Sequence, residues 1–125
     1  MSTKLLSWLL FLILLTSAQF GVSQSDTEKE STIVNLIISF QQNRFSNSKK
    51  AKADIEKAIS IAQTTTEKRN LVSTKILLGE FYDDNNNLNK ALSEYTEAKK
   101  IASSINDISG LASCEYNLGF LFYKQ

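Results

Sequence analysis

The sequence predicts an all-α fold of antiparallel helical hairpins. Three observations carry this. The chain repeats itself at a spacing of 40 residues: Lys50, Ala51, Ala58, Ile61 and Ala62 return as Lys90, Ala91, Ala98, Ile101 and Ala102, and Leu78, Gly79 and Tyr82 return as Leu118, Gly119 and Phe122. Self-similarity at this period marks helical repeat arrays, in which no unit buries its apolar face alone. The chain has no proline, which suits uninterrupted helices. Apolar residues recur at helical spacing, and no stretch alternates with period two for long enough to be a strand.

The chain starts with an address. Lys4 precedes an apolar stretch from Leu5 to Leu15, broken only by Ser7. That length fits the apolar centre of a secretory signal and is short for a bilayer span. Small residues follow, and cleavage is expected after Ala18 or after Ser23 or Gln24. The alternative is a retained N-terminal anchor. The mature domain is expected to occupy residues 25–125.

Five helical segments follow. The first is expected from about Glu28 to Arg44, with Ile33, Leu36, Ile37 and Phe40 on one face and Ser25 or Asp26 as cap. The Asn- and Ser-rich stretch 43–48 reads as a turn. The second runs from about Lys49 to Gln63, burying Ala51, Ile55, Ala58, Ile59 and Ala62. One of Thr64, Thr65 and Thr66 is expected to cap the third, from about Glu67 to Asp83, whose apolar set is Leu71, Val72, Ile76, Leu78 and Tyr82. Asp84 to Asn87 is the next turn. The fourth covers about Leu88 to Ser103, with Ala91, Leu92, Tyr95, Ala98 and Ile101. The fifth starts near Asp107 and carries Ile108, Leu111, Leu118 and Phe122. Every connection is short, which forces consecutive helices to be antiparallel neighbours. The units are thus about 28–66, 67–106 and a partial 107–125.

Composition narrows the function classes. A chain of 125 residues, 42% hydrophobic, makes one modest domain. Lys4 is the only charged residue before Asp26, so the body is electrically balanced. Balance gives no footprint for nucleic acid. There is no histidine, which removes histidine bases and the commonest metal ligand. Cys114 stands alone within Leu111, Cys114 and Leu118 and reads as a small core hydrophobe. Asp83 to Asn87 with Glu94 loosely follows a calcium-loop spacing, but Leu88 stands where that loop needs glycine. The basic run 49–52 reads as a solvated helix face, with Lys52 and Glu56 as an i,i+4 pair. No catalytic, cofactor or metal constellation is expected.

Leu78, Gly79, Tyr82, Ala91, Tyr95 and Ala98 resemble the tetratricopeptide repeat: Leu-Gly, an aromatic three on, a small residue, a second aromatic and an alanine at the family's spacings. Leu118, Gly119 and Phe122 begin another copy. Ile38, Ser39, Ala51, Ile55 and Ala58 form a weaker, earlier one. The family's usual unit is about 34 residues, so 40 resembles its longer-helix variant. The family's late proline is absent, with Ser103 in its place. The resemblance implies a right-handed superhelical α-solenoid. It also implies a groove along the first helix of each hairpin, here Leu36, Phe40 and Asn43, then Ile76, Glu80 and Asp83, then Tyr116, Phe120 and Tyr123. Some members clamp a peptide carboxylate with lysine and asparagine. The matching places here are Ser73, Ile76, Leu77 and Glu80, so the clamp does not carry over.

The fifth helix lacks a partner, so a longer polypeptide is expected to continue the array, or the last helix to self-associate. The function expected is an exported scaffold for a protein or peptide partner. The resemblance extends to the outer sensory regions of bacterial signal-transduction proteins, in which a membrane span of about 20 apolar residues and a kinase or helix-turn-helix module follow. A free periplasmic or secreted adaptor in envelope assembly is the alternative. A hydrolase built on carboxylates alone is a remote one.

Overall fold

The computed structural model describes residues 3–125, with backbone only for residues 11–24. The described residues are all-helical: α1 (Thr3–Asn43), α2 (Ser48–Ala62), α3 (Arg69–Asp84), α4 (Leu88–Ser104) and α5 (Ile108–Lys124). Each helix packs on the next, and α3 also touches α1 and α5.

The turns are built by the residues that sequence reasoning placed there. Asn47 and Asn87 stand 40 residues apart and cap α2 and α4, each side chain accepting from the third backbone N–H onward, of Lys50 and Lys90. Asp107 does the same for α5 through Gly110. Asn86 and Asn106 take positive φ, 56° and 54°, where asparagine is tolerated better than most residues.

Two boundaries differ from expectation. α1 runs unbroken through Ser25 and Asp26, which cap nothing. The Asp26 carboxylate instead accepts from the Thr66 hydroxyl at 2.8 Å, and no proline interrupts the backbone. The two cleavage candidates fall among the side chains outside the described residues, as do Met1 and Ser2. No helix among the described residues is long and apolar enough to cross a membrane. At α3, no threonine caps the helix. The Glu67 carboxylate accepts from the Arg69 N–H, while the buried Thr65 hydroxyl closes the loop on the Ala62 and Glu67 carbonyls.

Two cores alternate with the hairpins. In the first, Ile33 and Phe40 of α1 meet Ala51, Ile55, Ala58, Ile59 and Ala62 of α2, and Leu71, Leu78 and Phe81 of α3. In the second, Val72 and Ile76 of α3 meet Ala91, Tyr95, Ala98 and Ala102 of α4, and Cys114, Leu118 and Leu121 of α5. The same alanine column, 51, 58 and 62, then 91, 98 and 102, has no exposed surface in either. Small side chains there let helix axes approach closely.

Gly79 and Tyr95 form a tight joint between α3 and α4. A methyl group on Gly79 would lie 2.5 Å from a Tyr95 ring carbon, so the ring occupies the space a side chain would take. Forty residues earlier, Ser39 holds that place and Ile55 replaces the ring.

Charge also follows the period. Position 44 and its equivalents, 84 and 124, carry Arg, Asp and Lys. Arg44 Nε donates to Asp84 at 2.6 Å, and Lys124 Nζ donates to Asp83 at 2.9 Å. These pairs tie the C-terminal ends of α1, α3 and α5 together. Within the second hairpin, the buried Lys75 ammonium donates to Glu97 at 2.8 Å and Glu94 at 3.4 Å.

The expected faces need correction on α3 and α5. Phe81 is buried and Tyr82 half-buried, its ring lying under the Lys90 ammonium. Ile108 is 81% exposed and Phe122 58% exposed, while Leu121 and Cys114 are buried. Residues 114, 118 and 121 share the stripe that faces α3 and α4.

Candidate functional site

An open cleft of about 770 Å³ lies across the same side of three helices. α1 contributes Ile37 and Gln41. α3 contributes Ser73, Ile76, Leu77 and Glu80. α5 contributes Ala112, Ser113, Tyr116 and Asn117. The lining repeats with the chain: Ile37, Leu77 and Asn117 stand 40 apart, as do Ser73 and Ser113, and Ile76 and Tyr116. Helical geometry explains the grouping, because residues three, four and seven apart share a face.

The floor is apolar and the edges are polar. Ile76 joins the second core, and Tyr116 stands 73% exposed at the rim. The Asn117 amide nitrogen donates to the Ser113 carbonyl at 3.0 Å. Ser73 likewise donates to the Arg69 carbonyl. Glu80 is the one charged group of the lining, and Arg44 Nη1 donates to it at 2.9 Å. Burial opposes the charge on Arg44. Hydrogen bonds to Asp84 and Glu80 outweigh it, and the guanidinium pKa is held above its ordinary value. The cleft therefore offers apolar surface, amides and hydroxyls around a carboxylate already partnered.

Of the groove residues carried over from the repeat pattern, Ile76, Glu80 and Tyr116 line this cleft. Phe40 lies in the core, its ring edge-on to Phe81 at 6.2 Å. An aromatic ring with an aromatic neighbour on α3 gains more there than in solvent. Leu36 packs half-buried against the same core. The Asn43 amide turns back to the Ser39 carbonyl, and Asp83 is taken by Lys124. Phe120 lies under the Lys124 ammonium at 4.6 Å, and Tyr123 is 87% exposed, both away from the lining. Ser73 and Leu77, noted as clamp positions, do line the cleft. Ile37, Gln41, Ala112, Ser113 and Asn117 were missed as lining residues, although stepping 40 residues from Leu77 and Ser73 reaches three of them.

The remaining candidates have structural places. Leu78, Ala91 and Ala98 are buried, as is Leu118, whereas Gly119 has no heavy atom within 4 Å of where its Cβ would sit. Asp83, Asp84 and Glu94, the carboxylates of the calcium-like run, pair with Lys124, Arg44 and Lys75. Lys52 and Glu56 pair at 3.2 Å. Cys114 is buried, and burial raises its thiol pKa. No known family, no curated protein and no solved structure matches this chain.

Proposed function

We propose that this chain is an exported helical-repeat scaffold of the tetratricopeptide kind, a right-handed α-solenoid that holds a protein segment in the cleft formed by α1, α3 and α5. Within that reading it serves as the outer sensory or interaction region of a bacterial signal-transduction protein. The single observation that carries the binding role is the composition of the cleft: repeat-equivalent positions of three helices converge on one concave, mostly apolar surface edged by amides and hydroxyls. Apolar floors with a few oriented polar groups are what peptide grooves use. Two features support the export half. Leu5, Leu6, Trp8, Leu9 and Leu10 are each more than half exposed, and Ile33 is the first buried residue among those whose side chains are described. Residues 5–10 thus add no buried side chain to the body.

A displayed library of random peptides tests the binding half. Enrichment of a consensus with apolar anchors is expected. Tyr116→Ala and Asn117→Arg should each weaken the selected peptides about tenfold or more while leaving helicity intact. Selected peptides that bind both variants as well as the parent would remove the cleft from the argument. For export, N-terminal sequencing of the protein from its native cell is expected to begin at Gln19, Gln24 or Ser25. A start at Met1 or Ser2 contradicts it.

A further inference from the structure

Given that the cleft holds a protein segment, as proposed above, we infer that this segment is basic: apolar side chains lie on Ile37, Ile76, Leu77 and Tyr116, and a lysine or arginine stands at the Glu80 end. Charge in this chain is sorted by layer. α2 and α4, which lend no residue to the cleft lining, carry seven lysines against four acids. The rest of the chain from residue 25 onward carries nine acids against six basic residues. The body is balanced as a whole, yet the layer that lines the cleft is the acidic one.

The acids gather at one end. Glu80, Asp83 and Asp84 stand in the last turns of α3 and share two cations. Arg44 donates to Asp84 at 2.6 Å and to Glu80 at 2.9 Å, and Lys124 pairs with Asp83 at 2.9 Å. The cluster thus holds one more negative charge than positive, and Glu80 is its member in the cleft lining. The C-terminal ends of α1, α3 and α5 meet here, and helix C-termini add partial negative charge. Tyr95, packed on Gly79, feels the excess. Burial raises its phenol pKa, and the charges of Glu80, Asp83 and Asp84 raise it further against the opposing Arg44.

The opposite end differs in sign. Arg69 stands exposed one turn before Ser73, on the face of α3 that continues through Ile76 to Glu80. About 16 Å of helix separates Arg69 from Glu80. A cation on the occupant is repelled at the first end and attracted at the second, with the apolar floor between. Complementary charge of this kind sets which partner fits and in which direction.

Peptides selected on the full chain from a displayed random library provide the test. The winners should carry lysine or arginine beside apolar anchors. In fluorescence anisotropy, glutamine in place of that base should weaken binding about fivefold, and glutamate about 20-fold. These changes lie in the peptide, so no folding defect can mimic them. Added salt should weaken the basic peptide more than its glutamine analogue. Glu80→Gln should weaken the basic peptide about fivefold and spare the analogue, whereas Arg69→Gln should weaken neither. Neutral or acidic winners that still depend on Tyr116 overturn the inference and leave the groove standing. A basic peptide and its analogue that respond alike to Glu80→Gln overturn it as well. Self-association abolished by Tyr116→Ala, in place of peptide binding, gives the cleft to a second copy and overturns it. A library without enrichment ends both the groove and its preference for base.

Discussion

Arg44 and Asp84 occupy equivalent positions of successive hairpins and bind each other at 2.6 Å. Arg44 also reaches Glu80, and its guanidinium lies against the Phe40 and Phe45 rings. One side chain thus joins the end of α1 to the end of α3. Arg44→Met should cost about 1–2 kcal/mol, since charge-assisted hydrogen bonds to partly screened carboxylates are lost. A double-mutant cycle with Asp84→Asn, read by urea unfolding, should show a coupling of about 1 kcal/mol. Additive effects would mean that the pair contributes nothing to joining the hairpins.

Gly79→Ser should destabilise by about 1–3 kcal/mol, because its side chain enters the space of the Tyr95 ring. The first hairpin supplies the remedy. Ser39 and Ile55 stand at the matching places there, so Tyr95→Ile should recover part of the loss in the double variant. By contrast, Gly119→Ala should stabilise the isolated chain by about 0.5–1 kcal/mol through helix propensity, since no heavy atom lies within 4 Å of its Cβ position. Thermal melts of the three variants decide both points.

Alkaline pH should act on the second hairpin first. Burial lowers the Lys75 pKa, yet the hydrogen bond to Glu97 and the charge of Glu94 outweigh it and hold it above the usual 10.5. Burial raises the Tyr95 phenol above its usual 10.0. The unfolded chain releases both protons at lower pH than the folded one. Stability is therefore whole below about pH 10 and falls as pH rises through the folded values. Melting temperature against pH should drop on that limb, and Tyr95→Phe should flatten it. An unaltered slope in Tyr95→Phe would remove the phenol from the account.

Cys114 should be inert in the folded protein. It has no exposed surface, and burial disfavours its thiolate. Labelling by an aromatic disulfide reagent should be slow in buffer and rapid in urea. Rapid labelling without denaturant would place α5 away from α4.

Helix patterning reads well where a helix meets one core and poorly where it meets two. The apolar set of α2 is buried as its spacing predicts, because α2 serves the first core alone. α5 carries apolar residues around most of its circumference, so the pattern did not say that Leu121, and not Phe122, turns inward. Phe40 illustrates a different limit. Its partner, Phe81, lies on another hairpin, and a pairing across hairpins is absent from either helix's own period. Lys75 is charged and buried because two glutamates of α4 await it, a fact visible only once α3 and α4 are in register. The cleft was partly legible for the same reason that the fold was: its lining returns every 40 residues.

The alternation of sign at 44, 84 and 124 has a consequence for how such a chain assembles. A polypeptide made of near-copies risks threading one hairpin into its neighbour's berth. Were two like hairpins to stack in succession, as when chains exchange units, Asp84 would confront another Asp84 instead of a base. Opposite signs on successive units thereby favour unlike neighbours over like ones.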